Sequence, residues 1–298
     1  HYVDEWTRLT TDWTLNDHLS ASNQLYYIKS RRHCFVPHSD AVGGASSAEW
    51  RKLCEQLLKS SAEVLSSEFA NKDVITFTAM CMVSIQWLLR VPSSTAGPAQ
   101  LSAFVSLLSG ASTKEDITDL HPVVAEAVQN APLIAKCALV RACLAVHDDA
   151  TLLHATAGGN SLLLGPVFAF IMRVCDHDLP TNRLYGFQTL ESWLARLLVI
   201  PGQTLFTSSS VYDNVVVNFR LVTSVLTSAW SHPSRQVNHL VPNIYTKAVN
   251  ALHLLQQSHA ATVPLKSLPS SQTAAATLWA ALLAEALTMP AHHRGRYQ

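Results

Sequence analysis

The sequence predicts an all-α fold, arranged as an α-solenoid of stacked antiparallel helix pairs. Three observations predict it. Apolar residues recur at helical spacing, prolines and capping residues punctuate those runs, and only 14% of residues are charged. Soluble domains typically carry about 25% charged residues. The shortage indicates helices that bury more than one face, as the inner layers of a stacked array do. Hydrophobic residues make up 48% of the 298, which excludes disorder, and Gly and Pro are too few for collagen or a low-complexity linker.

The first 40 or so residues are the least periodic. Trp6, Trp13, Leu15, Leu25, Tyr26 and Ile28 suggest one or two helices there. Ser46-Ser47-Ala48-Glu49 is a capping-box signature and opens a helix bearing Trp50, Leu53, Leu57, Val64 and Leu65. Further helical runs are expected over 73–91, 98–109, 121–129, 131–148, 160–177, 183–199 and 272–289. Val74-Ile75-Thr76-Phe77-Thr78 is locally β-prone, but it runs into Ala79–Leu89 without a turn signal and is kept helical. Ser112-Thr113-Lys114-Glu115 repeats the cap pattern. Pro92, Pro98, Pro132, Pro180, Pro201, Pro233 and Pro269 mark run edges.

The clearest stripe is Val215, Phe219, Val222, Leu226 and Trp230. After Ser231-His232-Pro233-Ser234 a second one follows: Val237, Val241, Ile244, Ala248, Leu252 and Leu255. Pro242 lies inside it and is expected to kink it by removing a backbone donor. Pairs recur at roughly 45–50 residues, near the HEAT/armadillo period of about 40–47, which gives about 10–13 helices. The expected domain organisation is one continuous segment, 1–298, with a soft break near 92–98. Residue 1 is His, not Met, so the chain is expected to be a piece of a longer one.

Other function classes lose support. The most apolar stretch, Leu162 to Val174, is interrupted by Gly165, Pro166 and Arg173. It is too short for a membrane span, which needs about 20 residues. His1–Trp6 lacks the basic-then-apolar order of a signal peptide. A formal net charge of zero argues against a dedicated cationic nucleic-acid module. No Cys-x-x-Cys occurs among Cys34, Cys54, Cys81, Cys137, Cys143 and Cys175. They read as reduced, buried thiols in a compartment such as the cytosol. No Gly-x-Ser-x-Gly and no Gly-rich phosphate loop is present.

The remaining chemistry is sparse. His147-Asp148 and His177-Asp178 resemble the dipeptides of HD-type metal-dependent phosphohydrolases, with His121, His147, Asp148 and Asp178 as the ligand set. The competing reading, which we prefer, is that both dipeptides sit at helix ends, His favoured by the macrodipole and Asp capping the next helix. Cys175-Asp176-His177 and His33-Cys34 with His38 are further, weaker metal candidates. Cys175 and His177 would face different directions on a helix. Lys29, Arg31 and Arg32, beside Tyr26 and Tyr27, form the densest basic-aromatic patch. It suits phosphates and stacked bases, or simply a helix C-terminus. His292-His293-Arg294-Gly295-Arg296 reads as a solvated tail.

Two paired helices carry a family resemblance. Val215–Val222 leads to Ala229-Trp230-Ser231-His232-Pro233, and His239-Leu240-Val241 leads to Lys247-Ala248-Val249-Asn250-Ala251-Leu252-His253. With Asn182–Leu190, Trp193–Leu197 and Pro132–Val146, these segments resemble the thyroid adenoma-associated (THADA) family, over about residues 130–258. The resemblance implies a segment from the N-terminal half of a large HEAT-like α-solenoid. It implies a cytoplasmic, non-catalytic scaffold or regulatory subunit, without a cofactor of its own. Its partner would be an FtsJ-type methyltransferase that 2′-O-methylates tRNA at position 32. The tRNA would be held mainly by other regions of the parent chain. The family's Arg-Arg-Ser-Ala-Gly-Leu-Pro motif does not occur here, so no functional residue is carried over. The alternative from another class is a generic HEAT-repeat protein–protein adaptor.

Overall fold

In a computed structural model of the chain, the described residues are 48–66, 75–76, 78–80, 82–83, 96–109, 120–154, 161–200, 218, 221–229 and 234–262. They are predominantly α-helical, and no strand occurs among them. The helices with defined bounds are α1 (Ala48–Ser66), α2 (Ala96–Ser109), α3 (Pro122–Asn130), α4 (Leu133–Val146), α5 (Asp149–Leu153), α6 (Pro166–Cys175), α7 (Pro180–Val199) and α8 (Arg235–Thr262). Residues 221–229 are also helical, as are Ile75, Thr76 and Thr78 of the β-prone run. The expected helices before residue 48 and over 272–289, and the second cap at Ser112, lie outside the described residues.

Proline and polar caps set the boundaries. Pro122, Pro166 and Pro180 occupy the first turns of α3, α6 and α7. There a missing N–H costs nothing and φ is already helical. α3 stops where Ala131, the residue before Pro132, takes φ −64° and ψ 137°, the extended geometry that a following proline enforces. Two expected runs are shorter than the periodicity suggested. α4 ends at Val146, because His147 is extended and Asp148 already caps α5. α6 begins at Pro166, because Ser161–Gly165 forms a buried turn rather than a first helical turn. α7 starts at Pro180, earlier than residue 183, because that proline is placed as an N-terminal residue.

The chain divides into two compact units, His1–His147 and Asp148–Gln298. In the first, α3 packs against α1 and α2. Leu58 and Leu65 of α1, Val105 and Leu108 of α2, and Val124 and Val128 of α3 are buried. α4 is buried over most of its surface: Ala135, Cys137, Ala138, Leu139, Val140, Ala142, Cys143 and Leu144 are in the core, while Ala145 is exposed and Ile134 and Arg141 beside it are half-buried. A helix with so wide an apolar face belongs largely inside a core. Arg141 Nη2 donates to Thr76 Oγ1 at 3.0 Å, tying α4 to the helical residues 75–76.

In the second unit, α7 packs against both α6 and α8. Its buried positions are Leu184, Gly186, Phe187, Thr189, Leu190, Trp193, Leu194 and Leu197. At about 100° per residue they cover roughly 220° of its surface. α6 and α7 form an antiparallel hairpin across Asp176–Leu179. Gly186 lies against Val174 and Cys175 near the turn, and farther along the Phe168 and Trp193 rings sit 4.9 Å apart, tilted by 44°. The described members of the two stripes read from the sequence lie on the inner faces of their helices; Val215, Phe219, Trp230, and the side chains of Leu252 and Leu255, lie outside what is described. Val222, Leu226, Val237, Val241 and Ile244 are fully buried, and Ala248 nearly so. α8 continues through Pro242.

Candidate functional site

Polar side chains gather at three kinds of place, and the first is helix ends. His121 Nδ1 accepts from the Val123 N–H at 3.4 Å, while its Nε2 lies 3.9 Å from Glu55 Oε1 on α1. Asp148 Oδ1 accepts from the Thr151 N–H at 2.9 Å. His147 is buried and sits at the C-terminal boundary of α4, where its N–H bonds the Cys143 carbonyl at 3.1 Å. His177 Nδ1 accepts from the Leu179 N–H at 3.0 Å, entering α7, and the Asn182 amide nitrogen lies 3.2 Å from its Nε2. Arg183 Nε donates to the His177 carbonyl. Asp176 and Asp178 are exposed.

The HD-type reading needs His121, His147, Asp148 and Asp178 to converge on one metal. Among the described residues, no group of three or more His, Cys, Asp and Glu is placed to hold one. His121 and Asp148 satisfy orphan N–H groups at helix starts, and His147 closes a helix. Cys175-Asp176-His177-Asp178 likewise forms no ligand set. Cys137, Cys143 and Cys175 are buried free thiols. Burial pushes the Cys143 thiol far above its ordinary range, against a smaller downward pull from a backbone hydrogen bond.

The second place is the buried turn before α6. Leu162, Leu163 and Leu164 are all in the core, so their backbone groups need partners inside the protein. Leu162 and Leu163 donate to the carbonyls of His154 (3.2 Å) and Leu152 (3.0 Å). Ser161 Oγ accepts from the Leu164 N–H at 3.2 Å. Trp193 Nε1 donates to the Leu163 carbonyl at 2.9 Å, and Asn218 Nδ2 to the Leu164 carbonyl at 2.8 Å. Trp193 and Asn218 belong to segments whose sequence pattern pointed only to packing. A buried indole and a buried carboxamide that each need a partner were the available signal.

The third is the surface of α7 and α8. Arg196 pairs with Asp149, tying α7 to α5. Glu191 accepts from Lys247 and, at 3.1 Å, from Asn243, both on α8. Leu179, Val199 and Leu221 are the large apolar side chains left exposed among the described residues.

Lys29, Arg31 and Arg32, like His33, Cys34, His38 and the segment 292–296, lie outside the described residues. No described helix is long and apolar enough to cross a membrane. The polar chemistry that is described closes helix ends and holds helices together. No family model, curated protein or solved structure matches the chain.

Proposed function

We propose that the chain is a non-catalytic helical scaffold, a THADA-like segment that supports an FtsJ-type methyltransferase in 2′-O-methylating tRNA at position 32. The observation that carries this reading is the order and spacing of the resembling segments, Pro132–Val146, Asn182–Leu197, Val215–Pro233 and His239–His253. Their all-α setting is compatible with it. On this reading the helices stack as an α-solenoid in the cytoplasm. The long face of such an array recognises a folded RNA by shape, and the reaction belongs to the partner enzyme.

The test is genetic and chemical. Cells lacking the whole protein are expected to lose ribose methylation at tRNA position 32, read by mapping 2′-O-methyl groups. Unchanged methylation overturns the proposal.

A further inference from the structure

The start of α7 lacks the side-chain cap that opens α3 and α5. Its N-cap residue is Leu179, and Pro180 after it supplies no N–H. His177 stands in from the preceding turn. Its Nδ1 accepts from the Leu179 N–H at 3.0 Å, its Nε2 lies 3.2 Å from the Asn182 carboxamide, and its carbonyl accepts from Arg183 Nε. Asn182 and Arg183 both belong to the first turn of α7.

A backbone N–H can only donate, so Nδ1 carries no proton and the ring's one proton sits on Nε2. Asn182 then turns its oxygen to that N–H, since the two ends of a carboxamide have nearly the same shape. Only the neutral ring, in this tautomer, satisfies both contacts. A second proton would go on Nδ1 and set two donors, Nδ1–H and the Leu179 N–H, against each other.

We propose that His177 is a pH-sensitive latch on the α6–α7 hairpin: neutral, it fastens the first turn of α7; protonated, it lets that turn open. Among the described residues, the surrounding charges give the protonated ring no fixed counter-ion. Arg173 of α6 is exposed, and so are Asp176 and Asp178 in the turn, where salt screens them. On α7 the Arg183 guanidinium already lies against the His177 carbonyl. Glu191 is held by Lys247, and Arg196 by Asp149 of α5. α8, packed on α7, brings Arg235, His239, Lys247, His253 and His259 but no carboxylate. His121, which also caps through Nδ1, differs, because Glu55 lies 3.9 Å from its Nε2 and would receive a charge there. The His177 latch is complete while the ring is neutral and is lost as pH falls through the range where imidazole gains its proton, around 6.5 in an open peptide. Opening stops short of Gly186, which packs on the backbone of Val174 and Cys175.

The test follows amide exchange of the 298-residue chain at about pH 7.5 and about pH 5, either side of the imidazole range, with each rate divided by that of an unfolded peptide at the same pH. Protection of Leu179, Asn182 and Arg183 is expected to fall about five- to tenfold at the lower pH, the equivalent of one lost hydrogen bond. Phe187 to Leu197 should keep theirs. His177→Asn retains an acceptor that does not titrate and can bond two residues on, so it should hold its protection at both pH values. His177→Ala should show the low value at both. Nitrogen NMR near neutral pH should find the His177 proton on Nε2. Unchanged wild-type protection, an equal acid loss in His177→Asn, full neutral-pH protection in His177→Ala, or a proton on Nδ1 overturns the latch. So does an acid loss that extends through Leu197, which would mark unfolding of the whole unit.

Discussion

Gly186 is the residue that sets how closely α6 and α7 approach. A Cβ at that position would lie 2.6 Å from the Cys175 backbone nitrogen and 2.8 Å from the Val174 carbonyl carbon. Both are main-chain atoms, so no side-chain rotation relieves the clash. Gly186→Ala would raise helix propensity on an exposed helix. Here it should destabilise the protein by about 2–3 kcal/mol, measured as a fall in the urea midpoint at unchanged slope. Glycine in mid-helix costs about 1 kcal/mol against alanine, so its presence in Asn182–Leu190 was a legible hint of close packing, although the neighbour it meets was not. Cys143 makes a second residue-scale prediction. Its folded pKa is raised, so its contribution to stability is complete below the unfolded thiol value of about 8.5 and is lost as pH rises through the folded one. Stability should decline above about pH 8.5, and Cys143→Ala should flatten that part of the pH profile. Thiol reagents should label the native protein slowly at Cys143 and rapidly in denaturant.

Among the elements, the short α5 depends most on its cap. Asp148→Ala should cost about 1 kcal/mol, seen by chemical denaturation. Asp148→Asn should recover most of it, because the carboxamide oxygen can still accept from Thr151. Trp193→Phe keeps much of the ring packing against Phe168 but removes the donor to the Leu163 carbonyl. It should cost about 1–3 kcal/mol, the penalty of an unsatisfied buried acceptor. These two cases also mark what the sequence made legible. Asp148 as a cap followed from its place between two helical runs, and the stripes at Val222–Leu226 and Val237–Ala248 followed from periodicity. The turn at Ser161–Gly165 did not, because Leu162-Leu163-Leu164 has the composition of a helix interior. Its N–H groups find partners nearby in Leu152, His154 and Ser161, but the Leu163 and Leu164 carbonyls are met by Trp193 and Asn218, distant in sequence.

At the scale of the whole molecule, the low charge content has a structural cause. α4 and α7 are each buried over most of their surface, leaving few positions where a charge is cheap. The candidate site was less legible than the fold. The HD-type ligand set rested on dipeptide identity; His121, His147 and Asp148 sit at helix termini, as the preferred reading expected, whereas Asp178 is exposed and His177, not Asp178, meets the Leu179 N–H at the start of α7. A net charge of zero with a pI near 7.4 also predicts solubility behaviour. Colloidal association is strongest where net charge vanishes. Light scattering of the 298-residue chain should therefore peak near pH 7.4 and fall on either side.

The turn before α6 bears on how the protein is made. Its Leu164 carbonyl is completed by a residue 54 positions downstream. At about 5–20 residues per second, the ribosome needs roughly 3–10 s to supply it. During that interval the emerging second unit holds three consecutive leucines whose N–H groups already have upstream partners, while the Leu164 carbonyl still lacks the Asn218 carboxamide. A nascent chain truncated before Asn218 should therefore be a better chaperone client than one extended past it.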